Sequence, residues 1–294
     1  MSRIRKTFDR HESLVFIPFL VAGDPDRQTS IALAKELIRA GADILEIGMP
    51  FSDPVADGPV IQKADERALK GGMNPDHLFG MIRELRRSSD IPIVLLTYYN
   101  VVFRRGIARF YHEAHEAGID GILIVDLPPE EADEVVSTAV DQGIDQVFIV
   151  SGTTSPERLQ KIASITAGFL YVVSTSGVTG ARNELDPGVF DLVRRIRQQT
   201  NIPLAVGFGI SRAAHIRPLA DSGADAIIVG SAIVEIIERH VDDRETMKSE
   251  VFSFVSGLKH VISGSSRLTD PFVRDAAGDA RPTADNKVIN TGDQ

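Results

Sequence analysis

Ala40-Gly41-Ala42-Asp43-Ile44-Leu45-Glu46-Ile47-Gly48 reads as the end of one helix followed by the whole of one strand. The glycine closes the helix in a left-handed turn, an aspartate follows, and an apolar run with one embedded carboxylate completes the segment. The same punctuation recurs at Ala117-Gly118-Ile119-Asp120, Gln142-Gly143-Ile144-Asp145 and Ser222-Gly223-Ala224-Asp225, each time just ahead of another apolar run. Asp120 and Asp145 are 25 residues apart, one strand–helix unit, and the 80 residues from Asp145 to Asp225 allow three more units of about 27 each.

Working outward from this repeat, eight short runs rich in Ile, Val and Leu fall at 14–21, 43–48, 91–96, 119–125, 144–150, 169–173, 202–206 and 226–229. Most are apolar on both faces, as strands of a covered parallel sheet must be. Amphipathic stretches such as 28–40, 129–142 and 186–199 fill the gaps. Eight successive strand–helix units predict a closed (β/α)8 TIM barrel rather than an open sheet. Two additions are expected: a short N-terminal helix within 2–11 that plugs the bottom of the barrel, and an extra helix within 71–89 after the second unit. Residues 1–263 are expected to form one catalytic domain. From 264 to 294 the chain turns to Gly, Ser, Asp, Thr and Asn without periodicity, the composition of a disordered tail.

The bulk properties exclude several classes. A net charge of −9 gives no basic footprint for nucleic acid, and it disfavours anionic membranes. No apolar run reaches the ~20 residues of a membrane span. The charged N-terminus lacks the apolar core of a signal peptide, so a cytoplasmic enzyme is expected. The absence of cysteine removes disulfides and thiolate metal sites. The seven histidines are scattered, and His112 with His115 reads as the solvated face of an outer helix, so no metal is expected.

Chemistry concentrates in Leu45-Glu46-Ile47-Gly48-Met49-Pro50-Phe51-Ser52-Asp53-Pro54-Val55-Ala56-Asp57-Gly58-Pro59. If Leu45 and Ile47 face the surrounding helices, alternation turns Ile44, Glu46 and Gly48 to the barrel axis. A carboxylate near the C-terminal end of a barrel strand sits where barrel enzymes do chemistry, and desolvation there raises its pKa toward neutrality. Pairing with a basic lining residue is the structural alternative, yet the eight runs contain no Lys or Arg. Asp57 is read either as a second acid or as the N-cap of the helix opening at Pro59. Tyr171, in the sixth run, is read either as a donor to a substrate hydroxyl or as a core tyrosine. Phe19, in the first, reads as packing or as an apolar wall.

Three glycine clusters follow late strands: Gly177-Val178-Thr179-Gly180, Gly207-Phe208-Gly209 and Gly230-Ser231. Glycine lets backbone amides approach an anion, and Ser231 opens a helical run whose N–H groups would face the same place. Barrels build phosphate sites from the loops after strands 7 and 8, so a small phosphorylated substrate is expected.

Taken together, these segments resemble the tryptophan synthase α subunit family. The 45–58 segment matches its signature, followed by Thr97-Tyr98-Tyr99-Asn100, Ser176-Gly177-Val178-Thr179-Gly180, Gly207-Phe208-Gly209-Ile210 and Gly230-Ser231-Ala232-Ile233-Val234; the likeness runs from about residue 4 to about 262. It implies retro-aldol cleavage of indole-3-glycerol phosphate to indole and glyceraldehyde 3-phosphate, a lyase reaction of tryptophan biosynthesis. By the resemblance, Glu46 is the proton shuttle and Asp57 the partner of the indole N–H. Phe19, Leu96 and Phe208 would surround the ring, and Tyr171 would lie near the glycerol chain. Thr179 would belong to a closing loop, and Gly180, Gly209, Gly230 and Ser231 would bind phosphate. It further implies an α2β2 complex with a β subunit that carries pyridoxal phosphate, contacted around 53–54, 100–104 and 128–129, with no cofactor in the α subunit itself.

The chain departs from the family's usual pattern at Asp65, where Asn is common, at Val21, where Thr is common, and in its longer tail. Two other readings remain at this level. One is a non-catalytic barrel that mainly activates a β partner. The other is a different phosphate-binding barrel isomerase or synthase, which would call for a strand lysine or paired strand-end aspartates.

Overall fold

The computed structural model describes residues 1–173, 188–207, 209–210 and 212–264. Its centre is a closed barrel of eight parallel strands in chain order: β1 (Val15–Val21), β2 (Leu45–Gly48), β3 (Ile93–Thr97), β4 (Gly121–Ile124), β5 (Asp145–Ser151), β6 (Leu170–Val173), β7 (Leu204–Gly207) and β8 (Ala226–Val229). β8 closes onto β1 with Val15 opposite Ala226 and Ile17 opposite Ile228. Every expected strand is present, starting up to two residues later and, in β3, β5 and β7, ending one residue further on.

Alternation sorts the strand residues into two layers. Val15, Ile17, Ile44, Val94, Leu123, Val147 and Phe169 fill the axis. Leu45, Ile47, Leu95, Ile122 and Ile227 point outward against the helices. The helix Arg3–Arg10 closes the bottom, as expected, with Ile4 and Phe8 buried in the axial layer. Its N-cap Ser2 accepts from Arg5 N (3.1 Å) and donates to Asp145 Oδ2 (2.5 Å), which ties the plug to the start of β5.

The extra helix after the second unit is Pro75–Arg86, started by Asn74 and following the helix Pro59–Lys70. The segment 129–142 is not one helix: a 3-10 turn, Pro129–Glu131, precedes the helix Asp133–Gln142. Proline fits only the first turn of a helix, and Ala132, at φ −91° and ψ 0°, interrupts the ladder where the two pieces meet. Of the expected tail only Gly264 is described, as the last residue of the helix Arg244–Gly264; the remainder lies outside the described residues.

The recurring Gly-x-Asp signature has a physical basis. Gly41, Gly118, Gly143 and Gly223 all hold positive φ, as the helix-ending turn requires. The aspartates then tie strands together at the bottom. Asp43 Oδ2 accepts from Phe16 N, Asp120 Oδ2 from Ile93 N and Asp225 Oδ2 from Leu204 N, each at 2.8 Å. Two of them are each held by a clamp of the same design. Arg86 Nη2 donates to Asp120 Oδ2 (2.5 Å), Nε to Gly118 O (2.8 Å) and Nη1 to Ser89 O and Ile91 O. Arg197 repeats the pattern with Asp225, Gly223 O, Thr200 O and Ile202 O. The third and seventh units therefore begin in the same way, half a barrel apart.

Candidate active site

At the opposite, C-terminal end of the strands a cavity opens between Phe19, Glu46, Asp57, Ile61, Leu96, Tyr171, Gly207, Gly209, Ile210, Ile228, Gly230, Ser231 and Ala232. Glu46 lies at its floor. The axial position of Ile44 one pleat earlier turns Glu46 inward, as alternation predicts, and it is 1% exposed. Neither carboxyl oxygen has a hydrogen-bond partner among the described residues. Burial, and secondarily the charge of Asp57, push its pKa up to about 8. At neutral pH it therefore carries a proton and can surrender it.

Asp57 reaches the cavity from the loop between β2 and the helix Pro59–Lys70. The N-cap of that helix is Gly58, with no side-chain cap, so Asp57 is not spent on capping. Its Oδ2 accepts from the Tyr98 hydroxyl at 2.6 Å. Burial raises its pKa and the Tyr98 donor opposes that rise. The two acids thus differ: one is bare and holds its proton, the other is half-buried, hydrogen-bonded and more readily ionised.

The aromatic walls sit where glycines leave room. A Cβ on Gly48 would lie 2.7 Å from the Phe19 ring, and one on Gly230 3.1 Å from it. A Cβ on Gly207 would lie 2.5 Å from the Tyr171 ring. Gly207 and Gly230 therefore seat rings as well as baring backbone. Tyr171 shares its face with Phe169, 6.5 Å between ring centroids, and its phenol lines the cavity rather than ending in the core. Burial, followed by the charges of Glu46 and Asp57, holds that phenol in its protonated, donor form.

The far rim of the cavity is made of backbone. Gly209, Gly230, Ser231 and Ala232 line it, and the helix Ser231–Arg239 begins there without a side-chain cap. Its leading N–H groups and its dipole favour an anion, and no Lys or Arg is among the described lining residues. A ligand with a flat apolar body and an anionic end would meet acids and aromatic walls at one side and bare amides at the other.

The tryptophan synthase alpha chain family model matches residues 6–263. The chain belongs to the tryptophan synthase α chain family. It is 52% identical over 259 residues to the tryptophan synthase alpha chain of Methanoregula boonei, covering 88% of this chain and 98% of that one. To the alpha chain of Methanothermobacter thermautotrophicus it is 47% identical over 252 residues, 86% of this chain and 93% of that one. Among solved structures, the Legionella pneumophila tryptophan synthase subunit alpha superposes with a TM-score of 0.83 at 34% identity, covering 90% of this chain and 99% of that one. A chain of the Pyrococcus furiosus tryptophan synthase α2β2 complex does so at 0.79 and 42%, covering 85% and 98%.

In this member of the family, eight of the eleven residues expected at the site from sequence are described, and all eight (Phe19, Glu46, Asp57, Leu96, Tyr171, Gly209, Gly230 and Ser231) line one cavity. Thr179, Gly180 and Phe208 lie outside the described residues. Sequence reasoning missed the apolar walls Ile61, Ile210 and Ile228, which in a list of core residues look like any others. It also missed Tyr98, whose partner Asp57 is 41 positions away. Asp65, noted only as a departure, is a 4% exposed carboxylate on the inward face of the helix Pro59–Lys70, beside Ile61, Ala64 and Ala68. Burial first, then the charges of Asp57 and Asp24, raise its pKa to about 8. The nearby Asp24 is held by Arg67 through a two-point contact of 2.7 and 3.0 Å.

Proposed function

We propose that this chain performs the α reaction of tryptophan synthase, cleaving indole-3-glycerol phosphate to indole and glyceraldehyde 3-phosphate, with Glu46 moving the protons and Asp57 holding the ring N–H. One observation carries the reading: a fully buried carboxyl, unpaired among the described residues, and a hydrogen-bonded one share a cavity whose other rim is a helix N-terminus.

The chemistry follows from the two environments. Protonated Glu46 gives its proton to C3 of the indole ring, and positive charge develops on the ring nitrogen. Asp57, anionic beside that N–H, stabilises the charge as it forms. The bond between C3 and the side chain then breaks. Its electrons return to the ring and restore aromaticity, while the adjacent hydroxyl becomes a carbonyl and yields its proton to the Glu46 carboxylate. Protons balance and no redox step occurs, so the protein's own acids suffice and no cofactor is assigned to this chain. Tyr171 would bond the glycerol chain, Phe19 and Leu96 would clasp the ring, and Gly209, Gly230 and Ser231 would hold the phosphate. The roles expected from sequence for Thr179 in a closing loop, Gly180 in the phosphate cradle and Phe208 at the ring remain part of the proposal and rest on the sequence alone.

The decisive experiment incubates the purified chain with indole-3-glycerol phosphate and measures indole. Glu46→Gln, a near-isostere, is expected to slow release by about a hundred- to ten-thousandfold with KM little changed. Cleavage unimpaired in that variant ends the assignment of the shuttle.

The α2β2 assembly named for the Pyrococcus structure, and the barrel-mouth loops left exposed here, support a tryptophan synthase β subunit as partner, with pyridoxal phosphate confined to that subunit. No described helix is long and apolar enough to cross a membrane. That and the lack of cysteine support a cytoplasmic setting.

A further inference from the structure

The loop 49–58 that carries Asp57 has neither strand nor helix of its own, and Val55 and Ala56 on it are exposed. A carboxylate on such a segment needs an external reference if it is to meet a ring atom at a fixed direction. Tyr98 supplies one. It is the first residue beyond β3, and its ring is buried at 1% exposure. That ring stacks on Phe51, at the start of the loop, with centroids 4.8 Å apart and planes inclined by 24°. At the other end of the loop, its hydroxyl accepts from the Ala56 N–H at 3.1 Å and donates to Asp57 Oδ2 at 2.6 Å. One side chain therefore touches the loop at its entry and twice at its exit. Among the described residues no other group donates to the Asp57 carboxylate.

Resting on the role given to Asp57 above, we infer that Tyr98 is a positioning residue, the template on which the loop is wound and the donor that aims the Asp57 carboxylate into the cavity. The Ala56 N–H fixes the rotation of the phenol, so its single proton can point only toward Asp57. With Oδ2 occupied by that proton, Oδ1 is the oxygen left for a substrate N–H. The hydrogen bond also favours the anion over the acid. It acts against the burial that raises Asp57. The titratable groups facing it are Glu46 from β2 and Asp65 from the helix below, both of which the charge of Asp57 raises, with the Asp24–Arg67 pair beside Asp65. Tyr98 itself is pushed well above the ordinary phenol range by burial and by its bond to Asp57, so it remains a donor across the working range of pH.

The test is Tyr98→Phe, which keeps the ring and its stack on Phe51 and removes only the hydroxyl. Circular dichroism and the melting temperature should match the parent closely. Turnover of indole-3-glycerol phosphate should fall about tenfold, the weight of one hydrogen bond to a charged group, with KM within about twofold. The acid limb of the kcat–pH profile should move to higher pH, because an anion that loses its donor is protonated more easily. In an Asp57→Asn background the same change should add nothing. A Tyr98→Phe profile that superimposes on the parent, or an equal loss in the Asp57→Asn background, overturns the inference. Should Tyr98→Phe fail to fold, Phe51→Leu loosens the same template from the loop side. It should shift the acid limb in the same direction, and no shift there is equally fatal. The two possible failures separate cleanly. Asp57→Asn with parental turnover sinks the role of Asp57 and the inference with it. A crippled Asp57→Asn beside a normal Tyr98→Phe sinks the inference alone.

Discussion

Glu46 and Asp65 are both carboxyls buried without a compensating cation, and the molecule makes different use of them. Each has a pKa of about 8, raised first by burial and then by neighbouring charge. A carboxyl raised on folding contributes stability that is fully present below its unfolded pKa. That stability is lost as pH climbs to the folded value, because over this window the unfolded chain releases the proton more readily. Glu46 stands in the cavity where that cost is part of the chemistry, whereas Asp65 faces Ile61 and Ala64 in a helix interior. Asp65→Asn is therefore expected to raise unfolding stability near pH 8 by up to about 5 kcal/mol, to change it little at pH 4, and to leave the rate of indole release near the parental value. Denaturant titrations at the two pH values decide it; a stability gain that is equal at both excludes ionisation as the cause. How much of the site could be read from sequence divides at this same scale. Glu46 was legible because strand alternation is a local rule with a period of two. Asp57 stayed ambiguous between acid and cap until Gly58 proved to be the N-cap. Tyr98 was invisible, since what it does depends on β2 and β3 lying side by side with Glu46 opposite Val94.

Among the elements, the third and seventh strand–helix units carry the same clamp at the bottom of the barrel. An arginine at a helix end binds the carbonyls three and five residues on, a helix-ending glycine carbonyl one unit later, and the aspartate beyond it. Ser89 and Thr200 complete the likeness by accepting from Ile91 N and Ile202 N at 3.2 and 3.1 Å. Part of this was written in the sequence as the repeated Gly-x-Asp. The arginines were not, because nothing local distinguishes Arg86 and Arg197 from other helix-end cations. Replacing either arginine by Met takes the guanidinium away from its aspartate, which keeps a backbone donor, and leaves several carbonyls without theirs; it should cost about 2–4 kcal/mol. Since the two clamps share no partner, the losses should add in the double variant. Steady-state kinetics of each variant, below its melting range, should be unchanged, because the clamps and the cavity lie at opposite ends of the strands. A change in kcat that matched the loss of stability would refute that separation.

At the scale of the whole molecule, two of the large exposed apolar side chains among the described residues lie at the mouth of the barrel. Val55 is 83% exposed on the β2 loop, and Phe103 is 63% exposed on the helix Tyr99–Arg105, with its ring 5.8 Å from that of Tyr99. Apolar groups at the rim of a site are what a partner subunit would cover. If the β subunit docks here, Phe103→Ser should weaken the complex about tenfold in a titration of α against β, while the isolated chain cleaves its substrate at the parental rate. Undiminished affinity would place the contact elsewhere. Closure of the barrel, its bottom plug and its mouth were all legible from eight periodic runs, because hydrophobic period and glycine punctuation report architecture directly. The placement of the walls between those landmarks depended on packing that no single segment encodes.

The bareness of Glu46 has one more consequence. Asp57 is moored to a phenol and can offer a ligand only one oxygen from one side. Nothing described moors either oxygen of Glu46, so its carboxyl is free to swivel about its terminal bonds. A tethered acid can deliver a proton but must break its mooring to fetch another from a different atom. An untethered one can deliver at a ring carbon, turn, and collect from an oxygen further along the same molecule, so that a single side chain serves both halves of the cleavage.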